Sequence, residues 1–363
     1  MRRLTTPTRN PLRRACTAAC ALAAVAVLTS GGAASTEERR QAEPGAHSAA
    51  GCDRFASPRG RDRWRGSRRR PFRSVPRLTR ALRRGQTGCL EAGRYRHREP
   101  ALLRRPRARL RAVRGARVRV DGPIWITSRA TRASLSGIYL TSGSRRFTIP
   151  LKVQADRARI RGNVIKGAQS TTCVLVASRR PARGVLIEGN RIQRCGRFGK
   201  FDHLIYLTQA RDAIVRGNLL LDNRGGWAVH MYPDADGTVV ERNVMNGNFG
   251  GAVFAGAEGR TSDHNEVRNN AITGIGPRWN IEGSWSDEPS GVGNVARHNC
   301  LHHNGPLGPA GIAEPVGFTV RENPVLGESP YLNAAAGDYR FRAGSRCTPL
   351  VSGLAVQRAG RRR

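Results

Sequence analysis

Ile160-Arg-Gly-Asn163-Val-Ile165, Ile187-Glu-Gly-Asn190-Arg-Ile192, Val215-Arg-Gly-Asn218-Leu-Leu220, Val240-Glu-Arg-Asn243-Val-Met245 and Val267-Arg-Asn-Asn270-Ala-Ile272 are copies of one phrase, with weaker copies at Asn299 and Asn323. Successive asparagines lie 27, 28, 25, 27, 29 and 24 residues apart. A fixed period of about 20 to 50 residues marks a solenoid or array. The unit holds short β-rich runs and no long apolar pattern of helical period, which excludes the helical repeats. The expected fold is therefore all-β, a right-handed parallel β-helix with one Asn at a corner of each coil. Asn suits a bend because it tolerates left-handed backbone and bonds locally, and stacked copies can bond from rung to rung. The apolar residues three before and two after each Asn are expected to point inward.

A second apolar run follows in each unit: Cys173-Val-Leu-Val176, Leu204-Ile-Tyr-Leu207, Ala228-Val-His-Met231, Ala252-Val-Phe-Ala255 and Asn280-Ile-Glu-Gly283. Successive strand side chains point to opposite faces. Alternation then places Ile205, Leu207, Val229, Met231, Val253 and Ala255 inside, and Tyr206, His230, Phe254 and Glu282 in an outward column beside Thr208 and Tyr232.

At the start of the chain, Arg2, Arg3, Arg9, Arg13 and Arg14 precede a mostly apolar run from Cys16 to Leu28, followed by small residues. These are the three regions of a secretory signal peptide, with cleavage expected near Ala34. The run is too short for a membrane span, and no other stretch is apolar enough, so a secreted, extracellular protein without a membrane span is expected. Six cysteines remain beyond the leader, and an even count in an exported chain favours disulfides. Sequence-near partners suggest Cys52 with Cys89, Cys173 with Cys195, and Cys300 with Cys347.

The formal net charge is +37, and lysine occurs only at 152, 166 and 200, so arginine supplies nearly all of the 63 basic residues. Such an excess suits an acidic polymer as partner. Compositional drift toward arginine on solvated faces produces the same excess. Nucleic acid is not expected, because no motif with interleaved aromatics is present.

From Cys52 the chain carries Ala-Ser-Pro-x-Gly-x-Asp, Gly66-Ser, Pro71-Phe, a short apolar-periodic segment from Leu78 to Leu82, and Gly85 to Tyr95. That order resembles the opening segment of secreted right-handed β-helix proteins of the pectate-lyase-like superfamily. The resemblance implies a capping helix from Pro76 to Arg83, where a terminal rung would otherwise expose its core and backbone edge. Leu110 to Val113, Val118 to Val120, Ile124 to Ile126, Leu135 to Leu140 and Leu151 to Val153 then read as strands of the first coils. The tail from Asn323 to Cys347 resembles the usual C-terminal closure. The expected organisation is a signal peptide over 1–34, a disordered lead-in over 35–51, a cap and first coil over 52–100, the β-helix over 101–350 and a basic tail over 351–363.

The chemistry belongs on the outside of such a solenoid. Lys200-Phe-Asp202-His203-Leu-Ile-Tyr206 and, one coil later, Gly226-Trp227-Ala-Val-His230-Met-Tyr232-Pro-Asp234-Ala-Asp236-Gly resemble runs of β-helix proteins classed with polysaccharide lyases. A uronate lyase or epimerase removes the proton at C5 while the carboxylate charge is held. His203, His230, Tyr206 or Lys200 can supply the base, and Arg211 the cation. Trp227, Tyr232, Phe254 and Glu282 are the expected substrate-binding residues. If Ca2+ holds the carboxylate instead, Asp202, Asp234 and Asp236 are the available hard oxygen ligands. His230→Ala is expected to abolish activity while leaving folding intact. The expected function is lyase-type elimination on an acidic polysaccharide by a monomer. The alternatives are a glycoside hydrolase using two carboxyl groups and a non-catalytic glycan-binding β-helix.

Overall fold

In a computed structural model, Asn163, Asn190, Asn218, Asn243, Asn270, Asn299 and Asn323 stand one above another, each side-chain amide donating to the next side-chain oxygen at 2.9–3.0 Å. The structure describes residues 51–142, 146–167, 171–178, 180–196, 199, 201–223, 225–283, 289–302, 311–313 and 316–351. The expected signal peptide, the lead-in apart from Gly51 and the basic tail apart from Val351 lie outside the described residues. Among the described residues no helix is long and apolar enough to cross a membrane.

The ladder is possible because the residue before each Asn takes the left-handed turn. Gly162, Gly189 and Gly217 have φ of 59°, 62° and 60°, and Arg242, Asn269, His298 and Glu322 repeat it at 54°, 53°, 53° and 47°. The sequence reading had given that turn to the ladder Asn itself. The correction has a physical basis: Gly bears the positive φ at no steric cost, which frees the Asn side chain to bond along the stack.

Three parallel sheets run along the solenoid, of 11, 9 and 8 strands. Parallel strands joined by crossovers turn right-handed, and the result is a right-handed parallel β-helix. The first sheet precedes the Asn corner and ends with Asn294–Arg297 and Phe318–Arg321. The second follows the corner, as in Val164–Lys166 and Leu219–Leu221. The third is formed by the second apolar runs, from Ala101–Leu103 to Ile281–Gly283.

Ile160, Ile165, Ile187, Ile192, Val215, Leu220, Val240, Met245, Val267 and Ile272 are all fully buried in one core, so the apolar pairs flanking each Asn do face inward. Leu135 to Leu140 proves to be two strands, Ser134–Ser136 and Tyr139–Thr141, parted by a corner at Gly137 with φ 70°. Among the described residues one helix, Val75–Ala81, is present, and it closes the N-terminal end. Ser74 caps it by accepting from the Arg77 backbone N–H at 3.2 Å, and Val75, Leu78 and Thr79 turn inward. Cys52–Cys89, Cys173–Cys195 and Cys300–Cys347 are the disulfides. A hydroxyl pair, Thr273 to Tyr331, ties the C-terminal hairpin of Tyr331–Asn333 and Asp338–Phe341 to the last coils.

Candidate functional site

Strand register decides what the outside of the third sheet presents. Leu175 pairs with Tyr206, Tyr206 with His230, His230 with Val253, and Val253 with Glu282. Groups 23 to 31 residues apart in sequence thus stand about 5 Å apart on successive rungs. Tyr206, His230 and Glu282 occupy the expected column.

Phe254 does not. It pairs with Met231 and packs fully buried in the central core, while Val253 takes the outward place and, with Ala255, joins Trp227 in a separate small cluster. A register moved by one residue carries every side chain of a strand to the other face. Ala252-Val-Phe-Ala255 is apolar throughout, so its pattern could not fix that choice.

His230 points away from the coil interior, yet it is only 1% exposed. Tyr206 from the rung below and Tyr232 stack on it at centroid distances of 5.2 Å each, and Trp227 lies 5.3 Å away. His203 is covered as well, at 2% exposure. His230 Nδ1 and His203 Nε2 are 2.7 Å apart. One imidazole must donate and the other accept. His203 Nδ1 has no hydrogen-bond partner among the described residues, and a bare buried lone pair costs less than a buried unpaired N–H, which favours His203 donating from Nε2.

Burial pushes His203 down to about 3, and burial with the neighbouring His203 holds His230 well below its usual value. Both rings are therefore neutral at neutral pH, in the protonation state of a base but beneath the surface. His230→Ala is accordingly expected to cost folding stability, by about 2–4 kcal/mol for the cavity and the orphaned His203. The sign of the pH effect follows from the same shifts. The unfolded chain binds protons at these histidines from about pH 6.5, and the folded chain does not until about pH 3 at His203. Stability contributed above pH 6.5 is therefore lost as pH falls through that window. Denaturant midpoints measured from pH 7 to 4 should fall, and His203→Gln should flatten the fall.

Asn223 aligns this pair. Its amide donates to the carbonyls of Asp202 at 2.7 Å and Gly226 at 2.9 Å, so it ties the loop carrying His203 to the strand Trp227–Met231. Gly226 lacks a Cβ because one would stand 2.2 Å from the Asp202 carbonyl oxygen and 2.8 Å from His203 Nδ1. Asn223 and Asn248 are missing from the sequence reading, although they lie 25 residues apart, as Asn218 and Asn243 do, and are bonded as a short second ladder.

Trp227 reaches across a rung. Its indole lies over Gly250, where a Cβ would sit 2.4 Å from the ring, and its Nε1 donates to Glu282 two strands away. Glu282 is buried and also holds Arg278. Burial pushes its carboxyl up, against the pull of the Arg278 and Trp227 bonds. Trp227 and Glu282 are both buried, so they brace the site rather than face solvent. Arg278, which the sequence reading missed, carries no periodic signal.

Half-exposed groups form the outer surface: Tyr206, Tyr232, Arg211, Asp234 and Asp236. Burial, with Tyr232 nearby, raises the Tyr206 hydroxyl, so it keeps its proton. Arg211 Nη2 lies 3.2 Å from Asp234 and 3.8 Å from Asp236. Partial burial raises the Asp236 carboxyl. Asp234 and Asp236 come together on Arg211, but Asp202 does not join them as the third expected Ca2+ ligand. Asp202 precedes the strand Ile205–Leu207, whereas Asp234 and Asp236 follow Trp227–Met231, and among the described residues no three His, Cys, Asp or Glu side chains are grouped to hold a metal. Lys200 lies outside the described residues.

The family model described as right handed beta helix region matches residues 126–280. No curated protein matches the chain. Among solved structures, the chain is similar to the pectate lyase Pel9A, at 11% identity over 81% of this chain and 90% of that one, with a TM-score of 0.41. It is similar to a pectin methylesterase in complex with a hexasaccharide at 10% identity over 74% and 93%, with a TM-score of 0.44. It is also similar to a lacto-N-biosidase from Eubacterium ramulus at 10% identity over 74% and 67%, with a TM-score of 0.43.

Proposed function

We propose that this is a secreted, carbohydrate-active β-helix protein that binds an acidic polysaccharide on the outer face of the third sheet and cleaves it by β-elimination. The observation that supports this most is the stack of Tyr206, His230 and Tyr232, with Arg211 paired to Asp234, two residues beyond Tyr232. Aromatic faces at a surface suit the apolar faces of sugar rings, and a guanidinium suits a uronate carboxylate.

Elimination moves the C5 proton to a base, forms the C4–C5 double bond as O4 departs, and returns a proton to O4. In this reading Arg211 takes the carboxylate, Asp236 takes the C5 proton and the Tyr206 hydroxyl supplies the proton to O4. Asp236 rather than a histidine is the base because it reaches the surface and its proton affinity is raised. His203, His230, Trp227 and Glu282 hold Tyr206 and Tyr232 in place.

A second reading, glycoside hydrolysis, is favoured by one observation: Asp234 and Asp236 share one guanidinium nitrogen, with the Asp236 carboxyl raised, and a general acid needs a raised carboxyl. Incubating the purified protein with polygalacturonate, alginate and chondroitin separates the two. Ultraviolet absorbance from unsaturated uronate ends is the expected result. New reducing ends without that absorbance would replace elimination by hydrolysis.

A further inference from the structure

The positive charge of this chain is not spread evenly. Residues 51–120 hold 24 arginines against four acids, Asp53, Asp62, Glu91 and Glu99, whereas residues 201–300 hold eight arginines against twelve acids. In the fold this is an end-to-end polarity, because residues 51–120 form the cap and first coils of the solenoid. Twenty-one of the 24 arginines are exposed.

In the later coils arginine is matched by acids: Arg161 and Arg216 from neighbouring rungs both pair with Glu188, at 2.8 and 2.6 Å, and Arg268 pairs with Glu241 of the neighbouring rung at 2.9 Å and with Glu266 of its own strand at 2.7 Å. At the N-terminal end Asp121 gathers Arg94, Arg96 and Arg119. Four acids and Asp121 cannot neutralise the rest.

We infer that the cap and first coils form a docking surface for a linear acidic polysaccharide, separate from the third-sheet site. This takes from the proposed function only the class of ligand and is independent of turnover there. Arginine is the side chain that pairs carboxylates and sulfates bidentately. Three disulfides fit an oxidising compartment, where such polymers occur. A bilayer surface fits less well, because the exposed large apolar side chains among the described residues are Phe201, Val292, Val316, Val320 and Leu332, none of them in this region, and interfacial binding needs apolar insertion. Four strand spacings separate Ala101–Leu103 from Ile205–Leu207 in the third sheet, about 19 Å. A polymer held at the cap is thereby kept at high local concentration beside Tyr206.

The test is binding of the full-length protein to immobilised polygalacturonate over a salt series, with neutral dextran as control. A variant carrying Arg68→Gln, Arg69→Gln, Arg70→Gln, Arg83→Gln, Arg84→Gln and Arg104→Gln is expected to bind at least about tenfold more weakly, with a shallower salt dependence. Its thermal midpoint should stay near that of the parent, since these side chains are exposed. Tyr206→Phe should leave the salt dependence unchanged. Loss of binding in the six-fold variant upholds the surface even if no polysaccharide is cleaved. Equal affinity in that variant, equal retention on dextran, or tighter binding to phosphatidylserine vesicles or duplex DNA than to polygalacturonate would overturn it, whatever the site's activity.

Discussion

Asn218→Ala is expected to lower the unfolding free energy by about 3–6 kcal/mol, a large share of the roughly 5–15 kcal/mol that holds a domain folded. Asn218 lies mid-ladder and is fully buried. Its amide donates to Ile187 O at 2.9 Å and Asn243 Oδ1 at 2.9 Å, and its oxygen accepts from the Asn190 backbone at 2.9 Å and from Asn190 Nδ2 at 3.0 Å. Alanine leaves a buried carbonyl and a buried N–H without partners, at about 1–3 kcal/mol each, and weakens the neighbouring rungs. Asn323→Ala is the internal comparison. Asn323 ends the ladder and is only part-buried, so water replaces its bonds and about 1 kcal/mol is expected. Guanidinium midpoints of the two variants check this. Equal effects at the two positions would mean that the ladder does not carry the stack.

Arg211→Ala is expected to lower kcat/KM on an acidic polysaccharide by about 100-fold or more, the scale for removing a group that holds developing charge. Stability should change little. The side chain is part-exposed, its ion pairs with Asp234 and Asp236 are at the surface, and such pairs contribute about 0–1 kcal/mol. Steady-state rates beside a thermal melt separate the two quantities. If elimination is the chemistry, neutral substrates should be indifferent to the change, since they present no carboxylate. Arg211→Lys should recover only part of the rate, because an ammonium cannot form a planar fork.

The coil was legible because one side chain repeats at one corner. The Asn phrase fixed the period, and the apolar positions flanking it reported the core correctly from Ile160 to Ile272. Cysteines near in sequence were also near in space, since one or two coils bring the chain back on itself. Tyr206, His230 and Glu282 were assigned to one column by alternation alone, and register bears this out.

Other features left no such trace. In Ala252-Val-Phe-Ala255 every residue is apolar, so period two carried no information and Phe254 was placed on the wrong face. The left-handed residue before each ladder Asn was hidden where Arg242, His298 or Glu322 replaces Gly. Spacing told which column His230 belongs to. It could not tell that Tyr206, Trp227 and Tyr232 fold over the ring, because that depends on side-chain directions on separate rungs. The Trp227 bond to Glu282 required Gly250 to be empty space, and glycine in a strand reads equally as a weak point.

Hydrogen exchange in the presence of a polygalacturonate oligomer tests the central claim most directly. Slowed exchange at 205–211 and 227–236, lost at those segments in Arg211→Ala, is the result the third-sheet site requires, with or without added protection at the cap. Protection elsewhere on the coils with none at Tyr206 and Tyr232 would contradict it.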